Sequence, residues 1–175
     1  MKPSDPLVAA LFQRAVGTDR DALVAVGSQL VDLFAQPIEK KTEKLAMRDG
    51  VKLATDIYMP KGEGPFPVVL ARTPYNRQKR NDSAPGFAAE GYVFVTQDMR
   101  GRFESEGENI PFIGCGWGEH QDGLDTVEWI KKQPWCNGSI ATIGGSAGGI
   151  TQNYLAGTAP QGLKAQYISV APADM

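Results

Sequence analysis

The segment Gly144-Gly145-Ser146-Ala147-Gly148-Gly149 is the part of this chain best suited to covalent chemistry. Its G-x-S-x-G spacing is that of a nucleophile elbow. A serine attacks a carbonyl best when its hydroxyl projects from a sharp bend between a buried strand and a helix. Side chains flanking such a bend collide with neighbouring strands, and glycines before and after the serine relieve those collisions. The helix starting behind the serine also directs free N–H groups and a positive dipole end at the reacting centre. The bare pattern occurs in plain tight loops and phosphate-binding turns as well. Here no Lys follows as a P-loop requires, and no G-x-G-x-x-G is present at this site. A buried-type strand, 139–143, leads into the motif and a helix-compatible stretch, 150–156, leads out.

A serine nucleophile needs donors for the oxyanion it creates. The loop Arg72-Thr73-Pro74-Tyr75 follows the apolar run 67–71. Pro74 has no N–H to give, whereas Tyr75 carries a phenolic O–H that stays protonated at neutral pH. The expected pair of donors is therefore the backbone N–H of Ala147 and the hydroxyl of Tyr75. One such donor contributes about 3 kcal/mol to lowering the barrier. On residue chemistry alone, a structural tyrosine capping the loop stands level with that reading.

The serine also needs a base, and His is the usual one. The sole histidine, His120, precedes Ser146, whereas the order in this architecture is Ser, then acid, then His. His120 is read as a helix-terminal or loop residue, and its spacing from Cys115 as accidental. After Ser146 the only acid is Asp174 and no histidine follows. In the segment after 92–96, Asp98 and Arg100 are expected to pair as a loop scaffold. Gly114-Cys115-Gly116-Trp117-Gly118 reads as plain loop.

Elements that would position these groups follow from hydrophobic period. Residues 42–47 and 51–59 read as strands around the tight turn Arg48-Asp49-Gly50. In the second, Val51, Leu53, Ile57 and Met59 share one face while Lys52 and Asp56 take the other, which predicts a half-buried antiparallel strand. The runs 68–71, 93–95, 140–143 and 167–170 are continuous and apolar, as in parallel strands buried on both faces. Helical stretches at 84–90, 122–133 and from 147 to about 156 alternate with them. The expected fold is α/β, a doubly wound, mostly parallel sheet of α/β-hydrolase type with an antiparallel N-terminal hairpin. Residues 5–36 read as two helices, giving an N-terminal helical segment over 1–41 and the N-terminal part of a catalytic domain over 42–175.

Bulk properties narrow the partners. Apolar residues are 42%, charged residues 22% and net charge −2, which gives no electrostatic case for nucleic acid or an anionic membrane. No stretch approaches the roughly 18 apolar residues of a membrane span. Residues 1–6 lack the basic start and apolar run of a signal peptide, so a cytoplasmic protein and an exported one with its signal removed are both compatible. Oligomeric state is not readable. Two cysteines, Cys115 and Cys136, are expected as free thiols.

Several further motifs occur in one order. They are the 47–58 hairpin, Arg72-Thr73-Pro74-Tyr75, Gln97-Asp98-Met99-Arg100-Gly101 and Ser105-Glu106-Gly107. Pro134-Trp135-Cys136-Asn137-Gly138 and Gly144-x-Ser146-x-x-Gly149 complete the set. Over about 43–175 the chain resembles the cocaine esterase-like and X-Pro dipeptidyl-peptidase group, which includes α-amino-acid ester hydrolases. The resemblance implies Ser146 as nucleophile and Tyr75 as side-chain oxyanion donor. It also implies a catalytic Asp and His far downstream, a helical cap and a C-terminal jelly-roll-like domain. The chain is therefore expected to be truncated and a poor catalyst alone. Family members usually carry Tyr directly after the serine; Ala147 stands there in this chain, which changes the pocket wall and keeps the backbone donor. The expected reaction is acyl transfer from a small ester or peptide substrate to water, with no cofactor and no metal. A non-catalytic α/β-hydrolase-like binding module and a prolyl-oligopeptidase-type peptidase are the alternatives that share the elbow.

Overall fold

A computed structural model describes residues 38–110, 112–116 and 118–172. The expected helical pair at 5–36, Trp117 and Asp174 lie outside the described residues.

Eleven elements follow one another in the described chain, and six are strands: β1 (Glu39–Ala46), β2 (Lys52–Met59), β3 (Phe66–Thr73), β4 (Val93–Asp98), β5 (Cys136–Gly145) and β6 (Leu163–Ser169). The α-helices are α1 (Ala84–Ala89), α2 (Asp122–Lys131) and α3 (Ala147–Gly157), and short 3-10 turns span Arg77–Ser83 and Ile113–Cys115. One sheet runs in the order β1-β2-β4-β3-β5-β6. β4, β3, β5 and β6 are parallel, while the β1–β2 hairpin joins β4 antiparallel. The hairpin register pairs Ala46 with Lys52 across the Asp49-Gly50 turn. There Gly50 takes a φ of 85°, a conformation glycine adopts without cost. β1 begins at Glu39, three residues before the expected Thr42.

Strand alternation sends side chains to two separate layers. On one face Tyr58, Val69, Ala71 and Phe94 pack with Ala84 and Phe87 of α1, where the Phe87 and Phe94 rings stack 4.7 Å apart. On the other, Val68, Leu70, Val93, Val95 and Ile140 pack with Val127 and Ile130 of α2 and Leu155 of α3. Helices thus cover both faces, which makes the sheet doubly wound as expected. Each fully buried aliphatic side chain contributes about 1.5–3 kcal/mol. Among the described residues, no helix is long and apolar enough to cross a membrane.

Two strands differ from expectation. β2 is buried from Leu53 through Tyr58, Asp56 included, and is not a half-exposed strand. Leu53 and Ile57 pack with Trp129 and Val127 on the α2 side, and Tyr58 packs with Phe94 and Phe87 on the α1 side, so both of its faces are covered. β6 is the reverse: its apolar run predicts burial, yet Tyr167 is 68% exposed and the following Val170 91% exposed. β6 ends the strand order, and β5 is its sole sheet partner among the described residues.

Candidate active site

Ser146 sits between the last residue of β5 and the first of α3. Its backbone has φ 52° and ψ −125°, a region that non-glycine residues occupy only when the surroundings impose it. Three backbone bonds impose it here. Ser146 N donates to Ser169 O of β6 at 3.0 Å, and the Ser146 carbonyl accepts from Gly149 N at 2.8 Å and Ile150 N at 3.0 Å. Close contacts explain the flanking glycines. A Cβ at Gly144 would lie 2.7 Å from the Gly148 carbonyl oxygen, and one at Gly149 would lie 2.6 Å from the Ala171 Cβ. The serine side is left exposed. Ala147 is buried in the first turn of α3, where a backbone N–H has no acceptor inside the helix.

Tyr75 comes from the loop leaving β3. Its hydroxyl lies 3.2 Å from Ser146 Oγ, a hydrogen bond across 71 residues of sequence. The two side chains singled out in the sequence are therefore brought together. The Tyr75 backbone N–H donates to Thr73 Oγ1 at 3.0 Å.

Sequence reasoning missed Gln152. This buried side chain donates to Gly144 O at 3.2 Å, Gly148 O at 3.0 Å and Tyr167 O at 3.3 Å, and accepts from Thr142 Oγ1 at 2.7 Å. One amide thereby ties β5, α3 and β6 around the bend. Nothing in the sequence sets Gln152 apart from its polar neighbours Thr151 and Asn153.

The expected Asp98–Arg100 pair does not form. Asp98 closes β4 and accepts from Arg77, with Nη1 at 2.6 Å and the backbone N–H at 2.7 Å. The chain turns out of the sheet at Met99, which sends Arg100 to the α2 side. There Arg100 donates to Asp49 and Asp122, each at 2.7 Å. Arg48 grips Asp125 in parallel, with Nη2 to Oδ1 at 2.7 Å. Together these pairs fasten the hairpin turn to the start of α2. The Arg100 hydrogen bonds hold the Asp49 carboxyl at about 2, outweighing the opposing effect of burial. At Asp56 burial favours the neutral acid, yet hydrogen bonds from Lys40, Thr42 and Arg77 prevail and keep its pKa below the ordinary value.

His120 faces the same cluster: its Nδ1 is 3.3 Å from Asp49 Oδ2. Among the described residues, no hydrogen bond links it to Ser146. It helps line a cavity of about 90 Å³ with Arg72, Arg100, Gly114, Cys115 and Asp122. Arg72 is 5% exposed and donates through Nε to Gln97 Oε1 at 2.8 Å. Cys115 and Cys136 are free thiols, and burial pushes Cys115 up. Among the described residues, no cluster of three His, Cys, Asp or Glu side chains is placed to hold a metal ion.

The model of the X-Pro dipeptidyl-peptidase (S15 family) matches residues 49–175. The chain belongs to that family. It is 41% identical over 135 residues to the cocaine esterase of Rhodococcus sp. (strain MB1 Bresler), covering 74% of this chain and 23% of that protein. An aminopeptidase crystal structure from a marine sediment Thaumarchaeota archaeon superposes with a TM-score of 0.63 at 34% identity, over 78% of this chain and 25% of that one. A CocE/NonD family hydrolase of Staphylococcus aureus gives 0.66 at 30% identity, over 75% and 27%. By name these relatives are an esterase, an aminopeptidase and a hydrolase, and the chain spans about a quarter of their length. The α/β-hydrolase fold expected from the sequence is also that of an α/β hydrolase from Novosphingobium aromaticivorans, which superposes with a TM-score of 0.52 at 23% identity, over 75% of this chain and 43% of that one.

Proposed function

We propose that the chain carries the nucleophile and oxyanion donors of a serine hydrolase that transfers an acyl group from a small ester or an X-Pro-type amide to water. The observation that carries this reading is the 3.2 Å approach of the Tyr75 hydroxyl to Ser146 Oγ at a strained strand-to-helix bend. In the proposed reaction Ser146 Oγ attacks the substrate carbonyl, and a base takes the hydroxyl proton. The carbonyl oxygen gains the negative charge and accepts hydrogen bonds from the Tyr75 O–H and the Ala147 N–H. Collapse expels the alcohol or amine, which takes the proton, and leaves an acyl-Ser146 ester. Water, deprotonated by the same base, then releases the acid. Donors fixed in advance act strongly because they need no reorganisation as the charge develops.

The base and its acid partner are proposed to come from outside these 175 residues. Among the described residues, His120 Nδ1 lies 3.3 Å from Asp49 Oδ2 and makes no hydrogen bond to Ser146, and a relative about three times as long supports that assignment. The test compares the whole enzyme with Ser146→Ala on a p-nitrophenyl ester and on an X-Pro p-nitroanilide. The variant is expected to lose nearly all of the roughly million-fold contribution of such a catalytic unit. Equal rates for the two proteins on both substrates would refute the reading.

A further inference from the structure

The Tyr75 ring is 48% exposed, so packing does little to hold its hydroxyl over Ser146. The backbone around it is held instead. Met99 N donates to Thr73 O at 3.1 Å, and Arg102 Nε donates to Pro74 O at 3.2 Å. Asn76 follows with φ 80°, and Arg77 N is fixed on Asp98 Oδ1 at 2.7 Å. The Arg77 side chain then turns inward and is 2% exposed. Its Nε lies 3.0 Å from Asp56 Oδ1, its Nη1 donates to Asp98 Oδ2 at 2.6 Å, and its Nη2 donates to Glu104. Those three carboxylates belong to β2, to the end of β4 and to the loop beyond it. Asp56 is itself tied to β1 by Lys40 Nζ at 2.9 Å and Thr42 Oγ1 at 2.8 Å.

We propose that Arg77 is the positioning residue of the side-chain oxyanion donor: its buried fork locks the 73–77 loop onto β2, β4 and the 99–105 loop and so sets where the Tyr75 hydroxyl lies relative to Ser146. This inference rests on the reading of Ser146 as nucleophile and Tyr75 as donor. Desolvating Arg77, Asp56 and Asp98 makes such a cluster a poor source of net stability, whereas a specified geometry is what it can supply. Three acceptors from separate elements leave a planar guanidinium one orientation. A lysine keeps the charge but lacks the fork, so it cannot hold all three. The loop matters because a misplacement of about 1 Å at a reacting centre costs on the order of 100-fold in rate.

The test is a double-mutant cycle of Arg77→Lys and Tyr75→Phe in the whole enzyme, measured with a p-nitrophenyl ester. Arg77→Lys is expected to lower kcat about tenfold with KM changed less than about twofold. In the Tyr75→Phe background the same change is expected to alter kcat by less than about twofold, because the hydroxyl it aims is gone. An equal loss in both backgrounds means a general structural role and overturns the proposal, as does an undiminished kcat for Arg77→Lys alone. If circular dichroism shows that Arg77→Lys does not fold, Glu104→Gln takes its place in the cycle. That variant removes charge at the half-exposed end of the cluster, with an expected loss of about threefold that vanishes beside Tyr75→Phe. A loss equal in both backgrounds, or none in either, overturns the proposal there too. Failure of the underlying reading looks different: Tyr75→Phe or Ser146→Ala alone would then leave kcat unchanged.

Discussion

Replacing Gly144 with alanine asks whether close backbone contact shapes the bend that carries Ser146. A Cβ there would meet the Gly148 carbonyl oxygen at 2.7 Å and its carbon at 2.9 Å. Both atoms are main chain in the first turn of α3, so no side-chain rotation relieves the contact. Reaching an ordinary 3.4 Å separation moves that turn away from β5 by about 0.7 Å. Overpacking of this kind costs about 1–3 kcal/mol, while restricting the unfolded chain returns about 0.4–1 kcal/mol. The net expectation is a loss of about 1–2 kcal/mol, or roughly 2–8 °C in Tm for a unit of this size. The same shift separates Ser146 from Tyr75, with up to about 100-fold lost in kcat. Gly145→Ala is the internal control. Its Cβ would lie 2.7 Å from Ser169 Oγ, a hydroxyl that can rotate away, so its stability loss stays within about 1 kcal/mol. Thermal unfolding by circular dichroism and ester hydrolysis by the whole enzyme read both variants. Wild-type melting and turnover for Gly144→Ala, or greater damage from Gly145→Ala, would refute the reasoning.

Tyr75→Phe in the whole enzyme is expected to lower kcat by about 100- to 1000-fold with little change in KM or Tm, as for loss of one oxyanion donor; stopped-flow or steady-state ester hydrolysis checks it. Asp49 has a folded value of about 2 against an ordinary 3.8, so its pairing with Arg100 stabilises fully above about pH 4 and the contribution fades as pH falls toward 2. Urea melts of the native protein and Asp49→Asn should differ by on the order of 1 kcal/mol at pH 7, discounted for a quarter-exposed carboxylate, and converge near pH 2; a gap independent of pH would contradict the pairing. Iodoacetamide followed by peptide mass mapping should modify the half-buried Cys136 well before Cys115, which is 2% exposed with its thiol pushed up by burial.

The elbow was legible because its determinants are local: strand, glycines, serine and helix fall within twenty consecutive residues. Tyr75 was half legible. Pro74 removes one donor by its chemistry, but nothing local in the sequence says that the Tyr75 hydroxyl lies beside Ser146. The buried charge cluster was not legible, since joining Arg77 to Asp56 depends on β4 inserting between β2 and β3. That register is set by long-range pairing and leaves no mark in the spacing of either residue. Proximity in sequence misled at Asp98 and Arg100, because a strand end sends successive polar residues to different elements. Apolar content misled at β6, where an end position in the strand order decides exposure. It misled in the opposite sense at Asp56, whose charge argued for a solvent face until its three partners were seen.

Everything functional depends on Ser146 being the reactive hydroxyl. Treating the folded, whole enzyme with a fluorophosphonate and mapping the adduct by intact and peptide mass spectrometry tests this most directly. The account predicts one adduct per chain, on Ser146, with loss of ester hydrolysis in step and no adduct on Ser146→Ala. A folded enzyme that hydrolyses esters yet stays unlabelled at Ser146, or an active Ser146→Ala variant labelled elsewhere, would contradict it.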